Sequence, residues 1–257
     1  MKKVLAFDLD GTLAPSKSPL PDPIAELLDE LLGHFQICVM SGGKFEQFNN
    51  QLLGNLKVEP DKLKRLHIMP TCGTRYYLFS KDSMSWEKVY AEDFSKAQKA
   101  KIVKVVKEVT HALGLDKVKA YGAQIEDRGS QISWSALGQD IVDVLGTEGI
   151  RQKEAWDPKG TKKERIRAKL APLLPEFEVR SGGTTTIDIT KQGIDKAYGI
   201  QKLIAQLKVA KDDILFFGDK LQEGGNDYPV KALGIECIAV SSWQDTAIAL
   251  KAIVHVI

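Results

Sequence analysis

Residues 7–12 read Phe-Asp-Leu-Asp-Gly-Thr, so an apolar run beginning at Val4 ends in two carboxylates two positions apart and then turns on a glycine. A short run with almost no polar alternation predicts a strand buried on both faces, the habit of parallel sheets. Two acids at the end of such a strand repel each other unless a cation neutralises them. In an open α/β sheet the carboxyl ends of the strands are where ligands bind. The run therefore predicts both a fold class and the place where chemistry occurs.

The flanking segments extend the pattern. Asp22-Pro23 offers an N-cap and a first-turn proline, Ile24, Leu27, Leu28 and Leu31 recur at helical spacing, and Gly33 closes the segment. Phe35 to Met40 predicts a second strand, followed by Ser41-Gly42-Gly43 and a helical stretch with Phe45, Phe48 and Leu52 on one side. Such βαβα alternation predicts a parallel sheet. It resumes with a helix over 194–207 and strands over 214–217 and 237–240.

Between these parts the pattern changes. Residues 84–113 predict a strand-like piece and a long helix carrying Ile102, Val105, Val106 and Val109. The segments 118–128 and 131–137 read as hairpin strands around Gly129-Ser130, and a polar stretch over 147–163 precedes a helix from Lys162. Strands over 177–181 and 184–190 close the segment. This arrangement suits an antiparallel sheet with helices on one face, so the expectation is a core of 1–83 and 188–257 interrupted by a second domain of 84–187.

Composition narrows the class. With 36 basic and 34 acidic residues among 257, the net charge is +2, and no basic block suggests a nucleic-acid or lipid footprint. The first apolar run meets Asp8 too soon for a signal peptide or membrane span, so a cytoplasmic protein is expected. Three cysteines (Cys38, Cys72, Cys237) without a Cys-x-x-Cys spacing predict neither a disulfide framework nor a structural zinc site.

The polar groups expected at strand ends are Asp8, Asp10, Ser41, Lys196, Asp219 and Asp227. Several carboxylates with all-oxygen chemistry favour Mg2+. A carboxylate can also attack phosphorus, with a neighbouring carboxyl handling the leaving-group proton, which assigns attack to Asp8 and acid–base work to Asp10. Ser41, the N–H groups around Gly42-Gly43 and the Lys196 ammonium suit a negatively charged phosphoryl group. Ser41 has a plainer reading as the N-cap of the following helix, and Trp86, Trp134 and Trp243 read as packing residues.

In this order the residues resemble the four motifs of the haloacid dehalogenase superfamily: Asp-x-Asp-Gly-Thr at 8–12, Ser41, Lys196, and Gly218-Asp219 with Asp227. The insert is similar to the C2B cap of subclass IIB, which holds Cof-type sugar phosphatases and eukaryotic-type phosphomannomutases. Within that subclass, Phe-Phe-Gly-Asp-Lys-Leu-Gln-Glu-Gly-Gly-Asn-Asp at 216–227 most resembles the mutases. The resemblance implies a Rossmann-like α/β core with an α+β cap that opens and closes over the site, phosphorylation of Asp8, and Mg2+ held by Asp8, the Asp10 backbone carbonyl, Asp219 and Asp227. It also implies a small phosphorylated sugar as substrate, bound by Arg128, by Thr186 and Asp188 in place of a Ser-x-Asp pair, and by Lys17 in place of a linker arginine. A homodimer through the cap is compatible with it.

Tyr121 and Gln139 stand where the mutases tend to carry arginines. Bidentate arginine is not matched by glutamine or tyrosine as a clamp for a second phosphate. The expectation is therefore a sugar-phosphate hydrolase, with phosphomannomutase as the alternative. A phosphoacceptor signalling domain and a sugar-phosphate-binding protein are readings from other classes.

Overall fold

The computed structural model describes residues 2–257. In chain order the first elements are β1 (Val4–Asp8), α1 (Asp22–Leu31), β2 (Gln36–Met40), α2 (Phe45–Gln51), α3 (Pro60–Leu63), β3 (Leu66–Met69), β4 (Arg75–Ser80) and β5 (Ser85–Ala91). Next come α4 (Lys96–Ala112), β6 (Ile125–Asp127), β7 (Gln131–Ser135), α5 (Ile141–Leu145), α6 (Thr147–Trp156), α7 (Thr161–Leu170), β8 (Phe177–Ser181) and β9 (Thr186–Lys191). The chain ends with α8 (Lys196–Leu207), β10 (Ile214–Gly218), α9 (Tyr228–Ala232), β11 (Glu236–Ala239) and α10 (Trp243–Val254).

It divides into two compact units, one formed by the chain up to Ala91 with Asp195–Ile257, the other by Glu92–Ile194. The first holds a seven-stranded sheet in the order β11-β10-β1-β2-β3-β4-β5. Its first five strands are parallel, and the β3–β4 and β4–β5 pairs are antiparallel. Both faces are covered, as the unalternated sequence of β1 requires. Leu5 and Phe7 join Leu215 and Phe217 of β10 in one apolar core with α1 and α10, while Val4 and Ala6 join Ile214 and Phe216 in another with Ile200 and Leu203 of α8. From β1 the chain crosses to β2 on one side and later returns as β10 on the other, which makes the β1/β10 boundary the switch point of the sheet.

The second unit holds an antiparallel sheet in the order β6-β7-β9-β8. Ile132 and Trp134 of β7 and Ile187 and Ile189 of β9 share an apolar core with Ile102 and Val106 of α4 and Ile166 and Leu170 of α7. Trp134 is thus a packing residue, as its sequence suggested.

Several expectations shift. Residues 84–91 do not open the insert: β5 pairs with β4 and extends the first sheet. At the other end β9 pairs with β7 and β8, so 188–194 stay with the second unit rather than the core. Both boundaries move because strand pairing, which sequence pattern does not reveal, decides membership. Residues 118–124 form no strand, and the hairpin begins only at β6. The polar stretch after Gly146 contains helix α6. Asp22 is the first residue of α1 rather than its cap, a place taken by Pro21.

Candidate active site

Because β1 lies between β10 and β2, their carboxyl ends deliver Asp8, Gly218-Asp219 and Ser41 to one edge of the sheet. Asp8 is buried. Lys196 opens α8 after Asp195, whose side chain accepts from the Tyr198 N–H at 3.0 Å. Its Nζ lies 2.6 Å from Asp8 Oδ1 and 2.5 Å from Asp227 Oδ1, with all three side chains at most 5% exposed. The other oxygen of Asp227 accepts from the Lys220 N–H at 3.0 Å.

Charge does not balance here. Asp8, Asp219 and Asp227 each offer an oxygen within 4.8 Å of the others, against the buried ammonium of Lys196 and the exposed ammonium of Lys220, 3.5 Å from Asp219 Oδ2. Burial, reinforced by Asp227 and offset in part by Lys196, pushes the Asp8 carboxyl up to about 7. Burial also raises Asp219, whose buried Oδ1 has no hydrogen-bond partner. Burial alone would lower the Lys196 ammonium, but the charges of Asp8 and Asp227 more than offset it and hold it protonated. An excess of hard oxygen donors and one orphaned carboxylate oxygen fit a small divalent cation.

Asp10 behaves differently from its neighbour. Its carboxylate lies outside the three-acid group and accepts from the Lys17 N–H at 2.7 Å, from Gln47 Nε2 at 2.9 Å and from Gln51 Nε2 at 3.2 Å. What the resemblance implied for ion binding was its backbone carbonyl, not this carboxylate. The structure brings the Lys17 main chain, in a left-handed conformation, to Asp10.

Ser41 is buried and does not cap α2, whose N-cap is Lys44. Instead its Oγ accepts from the Gly43 N–H at 3.2 Å, so the hydroxyl shapes its own turn. The Ser41 and Gly43 carbonyls accept from the Cys72 and Thr71 N–H groups, each at 3.0 Å. That second loop, Thr71-Cys72-Gly73, holds three successive residues at positive φ. A Cβ on Gly73 would lie 2.4 Å from Gly199 Cα, in the first turns of the helix that carries Lys196. Sequence reasoning missed this brace; Pro70 and Gly73 around a polar pair were its only trace. It also missed Gln47 and Gln51, two glutamines among many until the fold sets them on Asp10.

In the second unit Arg128 is almost buried, with Nε 2.8 Å from Glu126 Oε2 and a guanidinium nitrogen 3.5 Å from Gln139 Oε1. It is not a plain surface charge. Asp188 accepts from Ser133 Oγ at 2.5 Å, and a Cβ on Gly182 would fall 2.2 Å from Asp188 Oδ2 and 2.4 Å from Thr186 Oγ1. Gly182 is thus part of a tight turn against these two residues, with no room for a side chain.

Residues 5–230 match the family described as haloacid dehalogenase-like hydrolase. The chain belongs to that family. It is 26% identical over 251 residues to a phosphomannomutase of Encephalitozoon cuniculi, covering 95% of this chain and 91% of that one. It is 27% identical to a phosphomannomutase of Saccharomyces cerevisiae, covering 88% and 84%. Among solved structures, an IMP-nucleotidase of Plasmodium falciparum shares the fold with a TM-score of 0.71 at 18% identity, over 99% of this chain and 68% of that one. The chain is therefore a phosphoryl-transfer enzyme of the haloacid dehalogenase family, and a phosphomannomutase-like one. No helix among the described residues is long and apolar enough to cross a membrane.

Proposed function

We propose that this enzyme moves a phosphoryl group between two positions of a hexose phosphate through phosphorylated Asp8, as a phosphomannomutase does. The observation that carries the chemistry is a buried carboxylate ion-paired to Lys196 beside two further acids, with the Asp10 carboxyl held apart from them by Gln47. The near-full-length similarity to proteins named phosphomannomutase supports return of the phosphoryl group to sugar, and it reverses the preference for hydrolysis drawn from sequence.

In the first step an Asp8 oxygen attacks phosphorus, the bond from phosphorus to the sugar oxygen breaks, and the Asp10 carboxylic acid gives that oxygen its proton. In the second, the free hydroxyl of a hexose monophosphate attacks the phosphorus of phospho-Asp8, its proton passes to Asp10, the bond from phosphorus to the Asp8 oxygen breaks, and a hexose 1,6-bisphosphate forms whose other phosphoryl group returns to Asp8 by the first step. Lys196 favours the ionised form of Asp8 against burial and orients it. The Ser41 hydroxyl and the Gly42 N–H receive the phosphoryl oxygens, with the Gly43 N–H to Ser41 Oγ bond shaping the turn that presents them. Asp8, Asp219, Asp227 and the Asp10 backbone carbonyl would hold Mg2+, which would supply charge neutralisation for the transferring group. Arg128, Thr186, Asp188 and Lys17 recognise the sugar and its distal phosphate.

Hydrolysis is retained as a second reading because of one observation. Gln139, buried against Arg128, occupies a position where a mutase clamp would gain from a second guanidinium. The two readings separate when the enzyme, Mg2+ and mannose 1-phosphate are incubated with and without a hexose 1,6-bisphosphate. Bisphosphate-dependent mannose 6-phosphate appearing faster than inorganic phosphate is expected; phosphate release that ignores the bisphosphate would make the enzyme a hydrolase. Asp8→Asn is expected to remove either activity by at least about 10³-fold.

A further inference from the structure

We propose that Gln47 and Gln51 are positioning residues for proton transfer: their paired amides hold the Asp10 carboxyl toward the leaving oxygen and away from the ion-binding acids. This rests on the phosphoryl-transfer reading above and deepens it. The two glutamines lie four residues apart on α2, so their side chains share one helix face. Gln51 Nε2 donates to the Ser18 carbonyl at 3.0 Å as well as to Asp10 Oδ1. A carbonyl only accepts, so this contact fixes which end of the Gln51 amide faces Asp10. Gln51 Oε1 then accepts from Gln47 Nε2 at 2.6 Å, which fixes the Gln47 amide in turn and aims the same nitrogen at Asp10 Oδ2. Reversing either amide would set an oxygen against the carboxylate.

With the Lys17 N–H on Oδ1, both oxygens of Asp10 are engaged from the side of α2 and the loop after β1. Carboxylate and carboxylic acid oxygens both accept hydrogen bonds, so the clamp persists whether Asp10 holds its proton or has given it up. It keeps the side chain from joining Asp8, Asp219 and Asp227 around a cation, where it would be lost to proton transfer. Gly43 lies under the clamp: a Cβ there would stand 2.1 Å from Gln47 Oε1, so the turn proposed to receive phosphate and the device that orients the acid are packed on each other.

The test depends on the leaving group. A sugar alkoxide departs only with a proton, whereas p-nitrophenolate or acetate departs without one, so loss of a positioned acid is felt chiefly by the sugar ester. Gln47→Met and the double variant Gln47→Met/Gln51→Met keep side-chain length and remove the amides; the single variant leaves the Gln51 tie to Ser18 intact. Leaving-group release is followed in the first turnover, with mannose 1-phosphate and with p-nitrophenyl or acetyl phosphate, at matched circular dichroism. The expected result is a fall with the sugar ester at least about ten-fold larger than with the activated ester, within the range of general-acid effects. Equal losses with both, or none with either, would overturn the clamp while leaving phosphoryl transfer intact. Full activity of Asp8→Asn in the same assay would instead remove the reading on which the clamp rests.

Discussion

The two sheets of this protein differ in what their faces carry. In β1 alternate residues enter two apolar cores, Leu5 and Phe7 on one side and Val4 and Ala6 on the other, so no face is left for polar work. Chemistry is confined to the strand ends, where topology gathers Asp8, Ser41, Lys196 and the acids after β10. In β7 only Ile132 and Trp134 enter the core; Gln131, Ser133 and Ser135 occupy the opposite face, with Asp188 of β9 across from Ser133. Polar residues there run along the strand, buried and hydrogen-bonded, with Ser133 Oγ donating to Asp188 and Ser135 Oγ to the Gly138 carbonyl. Polar groups in the first sheet are thus gathered at a topological edge, and in the second they line a face.

Removing the cation from the first region gives the largest expected effect. Lys196→Met leaves Asp8 and Asp227 buried without their ammonium, which should abolish turnover and cost about 3–5 kcal/mol of stability in chelator. Denaturant melts with and without Mg2+ measure it; part of the loss should return with the ion. A stable variant in chelator would mean that the three acids do not depend on Lys196 for neutralisation.

The second region should fail separately. Trp134→Ala empties a large site in the apolar core of Glu92–Ile194 and should cost about 3–5 kcal/mol. Native-state amide exchange should rise in β7, β9 and α4 while β1 and β10 stay protected. Equal acceleration in β1 would show that the two units unfold together.

A pH dependence sharpens the picture within the first sheet. His67 of β3 is buried between the Tyr76 hydroxyl (2.7 Å) and Gln36 Oε1 (2.8 Å), and burial pushes its imidazole down to about 4. Its folded pKa lies below the ordinary value near 6.5, so the unfolded chain binds the extra proton. Stability is fully present above pH 6.5 and is lost as pH falls through 4, by about 3 kcal/mol. His67→Gln should flatten this part of the stability–pH curve; an unchanged slope would place the acid sensitivity elsewhere.

The smallest change addresses specificity. Gln139→Arg adds a guanidinium beside Arg128 and Glu126 and should shift the ratio of mannose 6-phosphate to inorganic phosphate toward isomerisation by about ten-fold, or about 1.4 kcal/mol. An unmoved ratio would detach position 139 from the second phosphate.

Much of the first region was legible in the sequence because its signals are local. A continuous apolar run, a helix-opening lysine and acids after Phe216-Phe217-Gly218 each report their own place at a strand or helix end. Ser41 was found but its local role was not: its hydroxyl bonds the next turn instead of capping a helix. The domain limits, the Thr71-Cys72-Gly73 brace and the pairing of Arg128 with Glu126 and Gln139 were hidden, since each depends on which strands or loops become neighbours.

The sequence by itself determined the α/β class, the buried first strand and the six polar residues of the core, because hydrophobic period and the chemistry of clustered acids act over short stretches. Only the tertiary structure decided that Asp8 and Asp10 part company. Strand pairing sets Asp8 among Asp219, Asp227 and Lys196, and α2 presents Gln47 and Gln51 to Asp10. Two carboxylates two residues apart acquire different surroundings because successive residues leaving a strand end meet different elements, and no local pattern specifies which.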